Sequence, residues 1–215
     1  IDGAGNRIFT ISDNTPSVSL SNIIVRNGQA VQGGGLRIGT GANVRLTNTV
    51  FQNNRADNGG AIYNAGGTVV VVGATLSNNR TIAANGSGGG LFSESGSVVL
   101  VNSQISFNSA ARAGGGIEIV NGILNLNQTN LISNDVNGNA GIANPGNGGG
   151  LHVSGIATVA IDGGVVFGNT AASEGGGLWN QTGSSLSINN TVVSRNRALG
   201  NDPTNGGGGI FNNGG

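Results

Sequence analysis

A short glycine cluster that recurs along the whole chain constrains the fold more than any other feature. The motif Gly-Gly-small-apolar occurs seven times in 215 residues, and its copies begin at Gly33, Gly59, Gly88, Gly114, Gly148, Gly175 and Gly207. Successive copies are 26 to 34 residues apart, a period typical of solenoids and propellers. The sequence therefore predicts one small structural unit that is repeated along the chain.

Two further elements recur in step with the clusters. An alternation of apolar residues with a period of two predicts a β-strand before each cluster, and its copies begin at Val18, Val44, Val69, Val98, Leu124, Val159 and Leu186. The third element is apolar-x-x-Asn, and its copies begin at Ile24, Phe51, Leu76, Ile105, Leu131, Val166 and Val193. The first of these copies fits the spacing loosely.

The length variation of the repeat is confined to one connection. The first glycine of each cluster lies 17 or 18 residues before the next apolar-x-x-Asn element. The stretch from the asparagine to the following cluster varies from about five to about fourteen residues. A stacked unit tolerates insertions where its loops reach the surface. We therefore expect these connections to lie along one edge of the solenoid and to be its least constrained part. The longest of them, Asp135 to Asn147, should protrude furthest.

These patterns predict an all-β fold, a right-handed single-stranded parallel β-helix of roughly seven to eight rungs with three short strands per rung. Residues 1–215 would form a single β-helix domain. One inward column would contain the apolar residues that close the clusters, which are Leu36, Ile62, Leu91, Ile117, Leu151, Leu178 and Ile210. Both ends stop in mid-pattern, so we expect a piece of a longer repeat array or chains that associate end to end through open strand edges.

Glycine and asparagine are expected to have different structural roles in the repeat. The first two glycines of each cluster are never replaced, whereas the third is Ala61 in one copy, so only the first two are expected to need a conformation or a space that excludes a side chain. The asparagine of the third element recurs in every copy. Stacked asparagines can form an amide ladder along the rod, although asparagine also favours turns for its own sake.

The composition excludes several classes of function. Formal net charge is zero with nine basic and nine acidic residues and no basic run, so nucleic acid is not an expected partner. The chain has no cysteine, which removes disulfides and thiolate metal sites. No apolar run is long enough for a transmembrane segment.

The titratable residues give little support for a catalytic or metal-binding site. His152 is the sole histidine and has no acid in its own strand, so we expect no metal site, no cofactor and no catalytic residue. The acidic residues are spread over several corners of the rung. Asp135 and Glu174, in neighbouring copies of the variable connection, form the one pair that could work together, and the alternative is that both are solvated loop acids.

The repeats resemble those of the polymorphic outer membrane proteins, found in chlamydial autotransporter passengers. GGAI at Gly59 to Ile62 and FQNN at Phe51 to Asn54 match the two short motifs of that family, GGA followed by Ile, Leu or Val, and FxxN. The remaining clusters read GGG, and only Phe51 supplies the aromatic residue of the second motif. The resemblance implies a β-helical bacterial cell-surface or secreted region used in adhesion or surface architecture.

Two functions from different classes follow. The first is a non-enzymatic extracellular or cell-surface β-helix that acts as an adhesin-like binding and spacer element. The alternative is a carbohydrate-active β-helix, similar to polysaccharide lyases or hydrolases, whose catalytic residues lie outside this sequence. The second would require several acids at matching positions of adjacent rungs, and the sequence does not contain such a cluster.

A candidate binding stripe lies on the outward side of the first strand of each rung. Its positions are Arg37, Tyr63, Phe92, Glu118, His152, Trp179 and Phe211, and they include the only Trp, Tyr and His of the chain. Flat amphipathic side chains stacked at strand spacing suit a glycan or a protein surface. Alternatively, the aromatic residues Tyr63, Phe92, Trp179 and Phe211 stabilise the strands by stacking on their neighbours.

Overall fold

The computed structural model describes residues 1–136, 146–201 and 206–215. These residues form 28 short strands and no helix, so no helical segment of the length and apolarity that a bilayer crossing needs occurs among them. Every strand pairing is parallel and joins one turn of the chain to the next. The predicted all-β solenoid is confirmed, with about seven turns.

Eight strands form the first sheet, which runs the length of the solenoid and contains the residue after each glycine cluster. In spatial order they are β1 (Phe9–Ile11), β5 (Leu36–Ile38), β9 (Ile62–Asn64), β13 (Leu91–Ser93), β16 (Ile117–Ile119), β20 (Leu151–Val153), β24 (Leu178–Asn180) and β28 (Ile210–Asn212).

Two seven-stranded sheets complete the walls. The second sheet contains β2 (Val18–Ser21), β6 (Asn43–Thr47), β10 (Thr68–Val72), β14 (Ser97–Val101), β17 (Gly122–Asn127), β21 (Ala157–Asp162) and β25 (Ser185–Asn189). The third sheet contains β3 (Ile24–Arg26), β7 (Val50–Gln52), β11 (Thr75–Ser77), β15 (Gln104–Ser106), β18 (Asn130–Ile132), β22 (Val165–Phe167) and β26 (Val192–Ser194).

The variable connections are more ordered than the sequence indicates. They contribute two short sheets: β4 (Gln29–Gln32), β8 (Arg55–Asn58) and β12 (Arg80–Thr81), then β19 (Asp135–Val136), β23 (Thr170–Ala171) and β27 (Arg197–Ala198). Ser109 bridges Arg80 to Asp135 between them. A fourth short strand is thus added to the predicted three in most turns. Most of the connection Asp135 to Asn147, which the sequence predicts to protrude furthest, lies at residues 137–145, outside the described residues.

The predicted inward column forms the centre of the core. Leu36, Ile62, Leu91, Ile117, Leu151, Leu178 and Ile210 are successive partners in the first sheet. All are fully buried except Ile210 in the last strand, which is exposed at 41 %. Alternate residues of the second sheet and the apolar residue of the third sheet, Phe51 among them, complete one continuous apolar cluster.

The first two glycines of each cluster exclude a side chain, as predicted, and the structure shows a different reason for each. Gly88, first in its cluster, has a φ of 68°, in the left-handed region that side chains disfavour. Gly89, the second, has no such φ, but an added Cβ would lie 2.4 Å from the carbonyl oxygen of Gly115 in the next turn. The first glycine is therefore needed for its conformation and the second for the close approach of two backbones.

The recurring asparagine forms the predicted ladder inside the solenoid. Its members are Asn54, Asn79, Asn108, Asn134, Asn169 and Asn196. At Asn108, which is fully buried, Nδ2 donates to Asn134 Oδ1 at 2.9 Å and to the carbonyl of Leu76 at 2.9 Å. The amide hydrogen bonds thus continue from turn to turn.

The prediction for the first copy of the third element is wrong by one residue. Val25, and not Ile24, pairs with Phe51 and is fully buried, whereas Ile24 is exposed at 50 %. Gly28 therefore takes the ladder position, and its N–H donates to Asn54 Oδ1 at 2.9 Å. Burial of the apolar side chain sets the pairing, and a glycine at the ladder position hides the motif from a search for asparagine.

Candidate functional site

The predicted stripe on the first sheet forms one column of side chains outside the core. The strand pairing places Arg37, Tyr63, Phe92, Glu118, His152, Trp179 and Phe211 in successive turns. Four of its rings are in near-parallel stacks with a neighbour: Tyr63 on Phe92 at 5.2 Å and Trp179 on Phe211 at 6.4 Å between centroids. His152 also stacks on Trp179, at 4.5 Å.

This column is far less accessible than the sequence predicts. Tyr63, His152 and Trp179 expose only 4 %, 1 % and 6 % of their surface, whereas Phe92 and Phe211 are partly exposed. A partner on this face would therefore meet Phe92 and Phe211 and not the three buried rings. The alternation of apolar and polar residues along a strand shows which side chains point into the core. It does not show whether other parts of the chain cover the side chains that point outward.

Hydrogen bonds to neighbouring acids hold two of the buried rings. Trp179 Nε1 donates to Glu174 Oε2 at 2.9 Å, and Asn147 Nδ2 donates to the same oxygen at 3.1 Å. The Tyr63 hydroxyl donates to Glu94 Oε2. Burial, and then the hydrogen bond to Glu94, raise the pKa of the Tyr63 phenol well above its usual value. Residues of the connection and of the turn after the strand thus support this column.

The centre of the column is a buried polar pair. His152 Nδ1 lies 2.9 Å from Glu118 Oε2, and the two side chains expose 2 % and 0 % of their surface. The other atom of each group, His152 Nε2 and Glu118 Oε1, has no hydrogen-bond partner within the described structure. The carboxyl group of Glu118 orients the imidazole through Nδ1 and so holds the ring in one position between Glu118 and Trp179.

The structure does not bring the remaining predicted acids together. Asp135 pairs with Thr170 in a short sheet, whereas Glu174 lies against Trp179. Across residues 1–136, 146–201 and 206–215, no three His, Cys, Asp or Glu side chains are grouped as a metal site would require.

A second surface, which the sequence analysis did not single out, lies at the turn between the third sheet and the short sheets. We call it the third corner. The residue that makes this turn has a positive φ in every copy, and the seven residues are Asn27, Asn53, Asn78, Phe107, Ser133, Gly168 and Arg195. Phe107 stands out, because its side chain is exposed at 57 % and its φ is 55°.

The first half of the third corner contains a polar groove. It has a volume of about 240 Å³ and is lined by Asn27, Asn53, Asn54, Arg55, Asn78 and Arg80. In the other half, the guanidinium of Arg195 lies over the ring of Phe167 at 5.6 Å. One feature of the sequence indicates this surface. Phe107 lies just before the ladder residue Asn108, at a position where most other copies have asparagine, serine or glycine.

Comparison of this chain with protein-family models, with curated proteins and with solved structures finds no significant match.

Proposed function

We propose that this chain is a non-enzymatic extracellular or cell-surface β-solenoid that combines a spacer with a binding surface. The observation that carries the proposal is the uninterrupted stacking of the first sheet, whose eight strands pair in one continuous series. At a strand spacing of about 4.8 Å, this sheet extends roughly 35 Å along the axis. A stack of this kind lengthens by adding turns without changing its cross-section.

The hydrogen bonds and apolar contacts between successive turns support the role of a spacer. The asparagine ladder and the stacked apolar column both run parallel to the axis. Each turn is thereby joined to the next by backbone pairing, amide hydrogen bonds and apolar contact. Such a solenoid transmits force along its length through many parallel interactions, which suits a structure that holds a binding surface away from its anchor.

The outer surface supports the binding role. The third corner has asparagine in its first three turns and then Phe107, Ser133, Gly168 and Arg195, while the core positions beneath it remain apolar throughout. Variable surface residues on an invariant scaffold are the usual arrangement of repeat proteins that bind extended partners. The resemblance of the repeats to those of bacterial surface proteins points in the same direction.

The proposal is tested by measuring binding and turnover in the same samples. Fluorescently labelled chain is added to a panel of purified polysaccharides and to intact cells, and bound protein is measured beside the release of new reducing ends. We expect saturable, reversible binding and no release above that of a heat-unfolded control. Release of reducing ends that requires the folded chain would contradict the proposal and favour the carbohydrate-active alternative.

A further inference from the structure

We propose that the groove at the third corner binds an acidic polysaccharide, with Arg55 and Arg80 holding its anionic groups and Phe107 receiving a sugar ring. This inference rests on the proposed binding function and names its ligand class and its site. Three independent features of the described residues lead to it: an unneutralised pair of arginines, free amide groups beside them, and an exposed aromatic residue in a disfavoured conformation.

The two arginines lie side by side in adjacent turns. Arg55 and Arg80 are direct partners in the parallel pairing of β8 and β12, where like charges repel. Among the described residues, the arginine that forms an ion pair is Arg26, with Asp2, so neither Arg55 nor Arg80 is neutralised in this way. An anion placed between the two guanidinium groups would relieve the repulsion and could accept paired hydrogen bonds from each.

Amide groups of the same groove can complete an anion site. Asn54 is committed to the ladder, and Asn27 donates to Asp2 Oδ2 at 2.9 Å. Asn53 and Asn78 are exposed, line the groove and make no side-chain hydrogen bond to another described residue. Their Nδ2 groups are therefore available as donors to carboxylate, sulfate or hydroxyl oxygens of a ligand.

Phe107 continues the same column one turn further along. Its predecessors at this position are Asn53 and Asn78, and all three have a φ of about 55°. Asparagine tolerates this conformation, whereas a bulky side chain there is a backbone outlier. Packing does not explain the phenylalanine, because its side chain is exposed at 57 %. A ligand that stacks on the ring does explain it.

The arrangement favours a sugar polymer over other anions. Charge sites and ring follow one another at the turn spacing of about 4.8 Å, so the ligand lies parallel to the axis and presents both anionic groups and flat faces. Nucleic acid would require a wider field of positive charge, and the chain has a formal net charge of zero. An acidic polysaccharide offers carboxylates or sulfates together with apolar ring faces.

The test uses defined probes and matched variants of the full chain. Binding of polygalacturonate oligosaccharides, which carry carboxylates, and of heparin oligosaccharides, which also carry sulfates, is measured by calorimetry beside neutral dextran. We expect at least one acidic probe to bind and dextran not to. The double variant R55Q/R80Q should weaken binding at least about tenfold, whereas R45Q, which removes an exposed arginine from the second sheet, should leave it unchanged.

Phe107 provides a second and independent readout. Phe107→Asn should weaken binding of the acidic probe severalfold while the melting temperature stays the same or rises, because asparagine fits this turn better. A merely structural phenylalanine would give the reverse, with lower stability and unchanged affinity, and would overturn its assignment to the site.

Three results would overturn the proposal. The first is no binding of either acidic probe. The second is an equal loss with R45Q and with R55Q/R80Q, which would indicate diffuse charge attraction. The third is equally strong binding of single-stranded DNA with the same dependence on Arg55 and Arg80. Binding to cells or neutral glycans that survives R55Q/R80Q would refute this site while leaving the proposed binding function intact.

Discussion

At the scale of single residues, each ladder asparagine holds buried hydrogen-bonding groups of its neighbouring turns. Asn108→Ala would leave the carbonyl of Leu76 and the N–H of Asn79 without their side-chain partner in a dry interior. We expect a loss of about 2–4 kcal/mol in the free energy of unfolding, since each unsatisfied buried group costs about 1–3 kcal/mol. Urea unfolding followed by circular dichroism measures this loss.

The matched control is Asn125→Ala. Asn125 lies in β17 with its side chain on the outer face and is partly exposed. This change should alter stability by less than about 0.5 kcal/mol, as surface substitutions usually do. Equal effects of Asn108→Ala and Asn125→Ala would show that the ladder adds nothing beyond ordinary asparagine contacts.

Tyr63 gives a prediction about alkaline pH. The pKa of its phenol is raised by burial first and by Glu94 second, so the folded state opposes ionisation. This contribution to stability is fully present below the pKa of an unfolded tyrosine, about 10, and is lost as the pH rises above it. Tyr63→Phe should remove the part of the alkaline loss of stability that this ionisation causes.

The absorbance of tyrosinate tests this directly, because the chain contains one tyrosine. The titration midpoint of the folded protein should lie above about 10, and Glu94→Gln should move it downward. The same midpoint in both proteins would assign the whole shift to burial and none to the carboxylate.

Residue-level features divide into those that sequence could predict and those that it could not. The ladder and the exclusion of a side chain at Gly88 were predictable, because recurrence at a fixed position reflects a fixed geometry. The placement of His152 beside Glu118 follows from the predicted order of the column, whereas the burial of both side chains was not predictable, because alternation does not show what covers the outward positions. Phe107 was overlooked since a single exception within a repeat carries no periodic signal.

At the scale of the structural element, the glycine cluster gives a contrast between adjacent positions. Gly89→Ala would place a Cβ 2.4 Å from the carbonyl oxygen of Gly115 and 2.5 Å from that of Ser109. Because both obstacles are backbone atoms, we expect a loss of about 3 kcal/mol from overpacking. Gly90→Ala should cost less, about 1 kcal/mol, because its Cβ would lie 2.8 Å from the nearest backbone atom, the carbonyl oxygen of Gly116, and an alanine, Ala61, already occupies the same position of the preceding turn.

Thermal unfolding of the two variants under identical conditions measures this contrast. If Gly90→Ala were as damaging as Gly89→Ala, the close approach of backbones would not be specific to the second glycine. The sequence distinguishes the third position from the second, because only the third glycine is ever replaced. It could not separate the reasons for the first two, since a positive φ at Gly88 and a lack of space at Gly89 exclude side chains equally.

The strands also divide into those that the sequence could predict and those that it could not. The three main strands were predictable from alternation and spacing. The fourth short strand was not, because strands such as β12 (Arg80–Thr81) and β23 (Thr170–Ala171) are too short to show a period. They exist because an adjacent turn offers unpaired backbone groups.

At the scale of the whole molecule, the solenoid should tolerate the loss of one complete turn. Removing residues 88–113 joins Ser87 to Gly114, and Ser87 already lies beside Ala113, the last residue removed. Because each turn contacts mainly its neighbours, we expect a folded protein that is shorter by roughly 5 Å. Circular dichroism and small-angle X-ray scattering test the fold and the length.

Removing residues 88–100 provides the control. This deletion ends half-way through a turn, so it would bring β-strands of different sheets into line and misplace the inward column. We expect it to abolish cooperative unfolding. If this protein folded as well as the one without residues 88–113, the turn would not be the structural unit.

The asparagine ladder also gives the solenoid a direction. Every hydrogen bond between two ladder asparagines runs from Nδ2 of one turn to Oδ1 of the next turn toward the carboxyl terminus, so the amide dipoles add instead of cancelling. One end of the series therefore presents an acceptor and the other a donor. Whatever extends the series, further turns or a second molecule, must face the same way, which permits open head-to-tail growth and disfavours a closed two-fold pair.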